Sequence, residues 1–331
     1  MIVAKQSFRA TFVLVAASTV LTNPVWSADW PMWRADAQRS ASTSEELPES
    51  LHQQWSRREG QLKPAWPEDT RLQFDACYQP IVMGQTMFVS SSRNDSVTAV
   101  NTNNGEVRWR FFADGPVRFA PVAWQGKVYF GADDGCLYCV DAAQGALVWK
   151  FNAAPAARNI IGNERLISVW PVRGGPVLAD GKIYFTVGVW PFEGTLLYSL
   201  DADTGAVVAV DKSGGSESPA PNHMATMLKD QSPQGYLAAN GDNLFIPCGR
   251  ANVFGVNRLT NQRVGVKYDS KGLTDYHVIA ANKWLFHGDK VVDVATQKTL
   301  AINAHRPVVD GANIYFASKG QVVAYISSHY V

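Results

Sequence analysis

The stretch GADDGCLYCVDAAQGALVWKF, residues 131–151, packs two kinds of turn around short apolar runs. Asp-Asp-Gly at 133–135 opens one turn, and Asp141 to Gly145 opens a second that closes on Trp149. An Asp at the start of such a turn hydrogen-bonds its own backbone, and a Gly three or four residues on supplies the positive φ that other residues resist. The apolar runs between the turns have strand length.

The same unit recurs. PVAWQGKVYFG (121–131) precedes it, and related segments begin at Pro80, Pro176, Leu237, Val278 and Pro307. The outer half recurs as VNTNNGEVRWRF (100–111) and LDADTGAVVAV (200–210), with degraded copies VNRLTNQRVGV (256–266) and VDVATQKTLAI (292–302). Gly84, Gly126, Gly181 and Gly311 mark the turn between the first two strands of each unit. Repeats of this length, each supplying four strands, predict an all-β protein: a β-propeller of four-stranded antiparallel blades with six recognisable starts, the last incomplete. Trp109 and Trp149 stand four residues past the outer glycines and are expected to dock one blade on the next.

The 331 residues hold one large repeat domain or two ordinary ones. A net charge of +1 gives no global field to recruit nucleic acid or a membrane surface. Lys5 and Arg9 followed by an apolar run at 10–21, with Val25 and Ser27 before the break, predict a signal peptide at 1–27, cleaved after Ser27 or Ala28. No Cys follows to take a lipid, and no later stretch is long and apolar enough to span a bilayer. The expectation is an exported protein, periplasmic or extracellular and soluble. Residues 28–50 are assigned to an extended segment and 51–331 to the propeller.

Four cysteines do not suggest a disulfide framework. Cys136 and Cys139, three apart on one strand, should point to opposite faces, and Val140 stands where haem attachment would need a His. Cys77 and Cys248 sit in apolar runs and are expected to be small buried residues.

The segment VYFGADDGCLYCVDAAQGALVWKF (128–151) resembles the repeat of pyrroloquinoline-quinone (PQQ) enzymes and their non-catalytic relatives, among them the propeller subunit of the outer-membrane β-barrel assembly machinery. DWPMWRADAQRSAS (29–42) also resembles the N-terminal segment of such proteins. The resemblance implies the propeller fold over nearly the whole mature chain and leaves function open. The dehydrogenases of that family use adjacent cysteines over the quinone and a Ca²⁺ held by acidic and amide side chains. This chain has no adjacent Cys pair and shows no matching acidic cluster, so no cofactor is expected, with PQQ and Ca²⁺ as the alternative.

The ends bear on closure. LHQQWS (51–56) places Trp55 as Trp149 is placed, with no inner strands before it. It is therefore a candidate outer strand for the last blade, beside the sheet that contains 313–316. An open or truncated wheel, cut from seven or eight blades, is the favoured arrangement over six closed blades.

Insertions at 152–175, 189–194 and 211–235 are where a rigid wheel would present binding chemistry. Just before successive inner strands stand Arg118, Arg173 and Arg306, with His277 comparably placed. These side chains are expected to face one mouth of the central channel, with Asp75 as a counter-charge that orients one Arg without cancelling the ring. A cationic ring would bind an anionic ligand; the competing expectation is that each Arg braces its own blade junction. Asp133–Asp134 occupies a hairpin tip, where Asp is an ordinary turn former. No catalytic motif is present. Two functions follow: a non-catalytic envelope module that binds a protein, peptide or glycan, or a quinoprotein-type oxidoreductase or regulatory propeller fragment.

Overall fold

A computed structural model of the chain describes residues 28–214, 232–249, 251–266, 275–300 and 304–326. The expected signal peptide at 1–27 and the central part of the third insertion, 215–231, lie outside the described residues.

Within each repeat the strands pair in chain order, as the two tight turns dictate. The first blade runs Ile81–Met83, Thr86–Ser91, Ser96–Asn101, Val107–Phe112, each antiparallel to the last. The second runs Val122–Trp124, Lys127–Gly131, Cys136–Asp141, Leu147–Asn152. Four further meanders begin at Val172, Ala238, Val278 and Val308, and the sixth has three strands, ending at Gln321–Ile326. The fold is a β-propeller. Successive inner strands run parallel at their entrances, where Gly174 faces Gly235 and Tyr236 faces His277.

The inner turns need left-handed backbone. At Gly126 φ is +74°, which a side chain would strain. Outer strands carry a repeated irregularity: the register slips between Ala99 and Val100, between Cys139 and Val140, and between Ser199 and Leu200. A bulge there twists the outer strand and re-aims the residue beside it, and in the first two blades that residue is a tryptophan. The Trp109 indole lies over the next blade's turn, its Nε1 donating to Ala142 O at 3.0 Å. A Cβ on Gly145, itself at φ +71°, would fall 2.6 Å from the ring. Trp149 lies over Gly205 in the same way. Trp149 is half-buried, less enclosed than its repeat position suggests, and its Nε1 has no partner among the described residues, while Tyr129 OH donates to the equivalent carbonyl, Ala202 O.

The degraded repeats follow the same logic. Blade three has Ala209 where Trp would stand, and the turn it would cover has Asn261 at φ +59°. Blade four has Gly265 there, and the next turn has Gln297 at φ +60°. Where no indole approaches, a side chain is accommodated.

Cys136 and Cys139 are both buried and pack into different core clusters, on opposite faces as expected. Cys248 is buried, whereas Cys77 is exposed, because it lies in the segment leading to the first blade and not on a strand. The ring-closing strand is also corrected. Residues 51–56 form no strand and pair with nothing in the last sheet. Trp55 instead docks on blade one, donating from Nε1 to Thr102 O at 2.8 Å and lying against Gly105. It therefore occupies the position of a preceding blade's tryptophan without being in a blade.

One segment holds the wheel's centre. Trp30 pairs with Val82 in blade one, and Pro31 O accepts from Ala123 N in blade two at 2.7 Å. Arg39 donates to Pro176 O in blade three. Ala37 O, Gln38 O and Ser40 O accept from Ala239, Ala280 and Val309 in blades four, five and six. To reach all six inner strands the backbone adopts positive φ at Arg34, Ala35, Arg39 and Ala41.

Candidate functional site

The strand entrances group Arg118 with Arg173 and His277 with Arg306, and carboxylates answer both groups. Asp133 is completely buried, bonded by Arg118 Nε at 2.6 Å and by Arg173 Nε and Nη2 at 2.8 and 3.0 Å. Arg118 Nη1 reaches Asp75 at 2.6 Å. Asp75 also accepts from Ala65 N at 2.9 Å, which ties the covering segment to the cluster. Burial opposes ionisation of Asp133, yet the two guanidiniums hold its carboxyl below the usual range. Burial dominates at Asp75 and raises its carboxyl.

A second cluster forms around Asp275. His277 Nδ1 lies 3.1 Å from one carboxylate oxygen; His305 Nε2 and Arg306 Nε lie 3.2 and 3.4 Å from the other. Burial works against the Asp275 charge, but His277, His305 and Arg306 together hold its carboxyl well below the ordinary value. His277 is sandwiched between Trp33 and Tyr276, with ring centroids 4.8 and 4.0 Å away. Its burial pushes the imidazole down to about 4 despite Asp275.

Residues 73–75 join the clusters. Gln73 O accepts from Tyr276 OH, Phe74 stacks on Phe119 at 4.8 Å and meets Tyr276 edge-on, and Asp75 takes Arg118. The expected cationic ring is thus two ion-paired clusters under a lid. Asp75 was expected to leave the ring uncancelled; with Asp133 it balances Arg118 and Arg173. Arg306 is the exposed member, with its side chain 43% accessible. The bracing expectation fits Arg118 and Arg173.

Asp275 went unread in the sequence, and Asp133, expected there to be an ordinary turn former, is instead the buried partner of Arg118 and Arg173. Two aspartates stand at a tip that needs one: Asp134 makes the turn bond, accepting from Cys136 N, which frees Asp133 to point inward. That surplus was the available signal. Trp33, Phe74 and Tyr236, which fill the mouth, gave none beyond being apolar.

A quinone with its Ca²⁺ needs free acidic ligands and a slot between planes. Here the Asp133 and Asp275 carboxylates are bonded by Arg and His, and Asp75 gives Oδ2 to Arg118, leaving one oxygen, Asp75 Oδ1, without a partner among the described residues. The axis is taken by the Arg39 guanidinium, with Trp33 stacked on Tyr236 at 4.1 Å. Among the described residues no group of three or more His, Cys, Asp or Glu is placed to hold a metal. The residues present do not fit that group.

Beside the mouth, the insertion before blade three forms a two-stranded hairpin, Asn159–Gly162 with Arg165–Ser168, which joins no further strand among the described residues, though Ser168 N donates to Asp133 O at 2.8 Å. With the 3-10 turn Pro191–Glu193 it presents an apolar rim. Ile161, Leu166 and Phe192 are 83%, 66% and 67% exposed, and Trp190 is partly so. A cleft of about 260 Å³ lies between this rim and Trp66, and Arg173 lines it.

A family model described as "Outer membrane protein assembly factor BamB" matches residues 25–169 and 133–329. The dehydrogenase subunit of a quinone alcohol dehydrogenase from Gluconacetobacter polyoxogenes is 29% identical over 160 residues, 45% of this chain and 21% of that protein. Tetrathionate hydrolase from Acidithiobacillus ferrooxidans is 26% identical over 155 residues, 44% of this chain and 27% of the other. The chain thus spans about a quarter or less of these curated relatives. Among solved structures, BamB from Moraxella catarrhalis superposes with a TM-score of 0.53 at 19% identity, covering 74% of this chain and 70% of that one. Quinohemoprotein alcohol dehydrogenase from Comamonas testosteroni gives 0.52 at 17% identity, covering 91% and 52%. These structures share the fold. No helix among the described residues is long and apolar enough to cross a membrane.

Proposed function

The chain belongs to the PQQ-like propeller family described as outer membrane protein assembly factor BamB, and from that premise we propose that it is a non-catalytic binding module of the cell envelope that docks a protein or peptide partner. The observation that carries this reading is the apolar rim of the 159–168 hairpin and the 190–193 turn. Single exposed apolar residues are ordinary, but a contiguous set on a protruding hairpin next to a cleft marks an interaction surface. The filled channel supports it, since a wheel whose axis is packed with its own side chains presents ligands to its loops and not to its centre. The family's description makes an assembly role at the outer membrane the natural setting.

A photo-crosslinker at Ile161 in cells should give a discrete adduct, while one at Val207, exposed on an outer strand, should give none. Equal labelling from both positions, or from neither, would remove the rim as the interface.

The likeness to quinone alcohol dehydrogenase over nearly half the chain keeps a second reading, a quinoprotein or a regulatory fragment of one. Reconstitution with PQQ and Ca²⁺, followed by quinone absorbance and dye-linked alcohol oxidation, decides it: bound quinone with turnover would replace the binding module.

A further inference from the structure

The cleft behind the rim has a composition that selects its ligand. Its walls are Ile160, Ile161, Ile167, Val169, Val189 and the paired indoles of Trp66 and Trp190, which meet edge to face at 5.7 Å. Trp66 is locked by its Nε1 donating to Gln234 Oε1. One charged side chain lines this apolar space, that of Arg173. Arg173 spends Nε and Nη2 on Asp133, so the opposite edge of the guanidinium, Nη1, faces away from that carboxylate. The side chain is 4% exposed, and Nη1 has no hydrogen-bond partner among the described residues. A buried donor left unpaired costs free energy, and more so on a charged group, and an acceptor brought into the cleft recovers it.

Size narrows the choice. Pockets for drug-sized ligands run from about 300 to 1,000 Å³, and about 260 Å³ holds one apolar side chain and its carboxylate. No further strand joins the 159–162/165–168 hairpin among the described residues, and apart from Ser168 N, which Asp133 O takes, its outer edges offer backbone donors and acceptors to an extended chain leading into the cleft, which favours a peptide over a free acid. We propose that this cleft captures the C-terminal apolar residue of a peptide chain, with its side chain against the wall made by Trp66 and Trp190 and its terminal carboxylate on Arg173 Nη1. This rests on the rim being the docking surface and adds the chemistry of what docks. A guanidinium in an apolar site binds carboxylate more strongly than it would in water, so the acid should be preferred to its neutral amide.

The probes are the tripeptide acetyl-Gly-Val-Phe with a free carboxylate, the same peptide as its C-terminal amide, and octanoate. Titration into the full chain is followed by the indole N–H resonances of Trp66 and Trp190. The acid should move both, with the amide at least tenfold weaker and octanoate weaker than the acid. Raising salt should weaken the acid more than the amide. Arg173→Ala should erase the acid–amide difference. Because that variant also disturbs Asp133, Trp190→Ala serves as the second variant: it leaves the buried cluster untouched and should weaken acid and amide alike. Equal binding of acid and amide overturns the carboxylate assignment, and octanoate binding as tightly as the peptide overturns the peptide assignment. No binding of any probe, with crosslinking at Ile161 intact, overturns the cleft and leaves the rim interface standing. Loss of the Ile161 adduct with the acid–amide preference retained removes the rim and keeps the cleft.

Discussion

Arg173 grips both carboxylate oxygens of Asp133 from Nε and Nη2, at 2.8 and 3.0 Å, with neither side chain reaching solvent. Arg118 shares the same carboxylate from the neighbouring blade junction, so one aspartate bridges two guanidiniums from separate repeats. Removing it leaves two buried cations with only Asp75 between them. Breaking such a buried pair by deleting one partner costs about 3–5 kcal/mol. Asp133→Asn should lower stability in denaturant unfolding by that order, whereas Asp134→Asn, which touches the turn, Tyr138 and the exposed Lys150, should cost about 1 kcal/mol. Equal losses would show that the two aspartates are interchangeable turn formers.

The tryptophans rank by enclosure. Trp109 is buried with its Nε1 bonded, and truncating a large core aromatic costs about 3–5 kcal/mol. Trp149 is half-buried with Nε1 unpaired, so Trp149→Ala should fall below Trp109→Ala, and Trp190→Ala, on the rim, lowest of the three. Gly145→Ala tests the docking from the other side, since it strains φ +71° and drives a methyl into the indole. Thermal unfolding of the four variants checks the order; a Trp190→Ala shift matching that of Trp149→Ala would break it.

Stability should fall between pH 6.5 and about 4. His277 is driven from 6.5 to about 4 by burial, with Arg306 and Arg34 adding to that push and Asp275 opposing it. The folded state holds the ring neutral while the unfolded chain protonates near 6.5. The contribution is therefore complete above 6.5 and is lost as pH drops through this window. At about 1.4 kcal/mol per unit the loss approaches 3 kcal/mol. His287, also buried and lowered, acts in the same direction. The depressed carboxyl of Asp275 gives stability that is present above about pH 5 and is lost as pH falls further, in the same direction. Unfolding free energy measured at pH 7 and pH 4.5 should differ less in His277→Gln than in the unaltered chain; an unchanged slope would discount the imidazole.

What was legible in the sequence was local. A turn needs Asp and Gly at fixed offsets, so GADDG, DAAQG and the inner Gly positions announced the blades that keep them, while the start at Val278, with Asn282 at its turn, was read from its apolar pattern; Trp109 announced its own docking. What was illegible depended on how far one blade lies from another. Asp133 resembles any turn Asp until Arg173, forty residues on, is folded beside it. Trp55 matches the repeat in spacing, and the match is real, since it covers Gly105; but spacing does not say whether its backbone will find a strand to pair with. The 159–168 hairpin follows no repeat period because it belongs to no blade, and Cys77 lies in an apolar run that never enters a sheet.

The last prediction concerns the segment at the axis. Arg39 is fully buried and meets no carboxylate: Nε donates to Leu237 O at 2.7 Å, Nη1 to Trp33 O at 3.0 Å and Nη2 to Pro176 O at 2.9 Å. Burial lowers it to about 10, with Asp36 pulling the other way, so it remains charged at neutral pH and depends on those carbonyls. Its fork also holds the segment's own backbone, which is left-handed at Arg34, Ala35, Arg39 and Ala41; each such residue costs about 1–3 kcal/mol unless its surroundings enforce it. A lysine has the charge but cannot bond three carbonyls from one planar group. Arg39→Lys should therefore lose several kcal/mol, and the loss should appear first as faster amide exchange at Ala239, Ala280 and Val309, whose N–H groups donate to this segment. Exchange at Phe88 and Val97, on the second and third strands of blade one, should change less. If all these amides accelerate together, the segment unfolds with the wheel as one unit and is not its separable centre; if none does, Arg39 fills space at the axis without holding the blades.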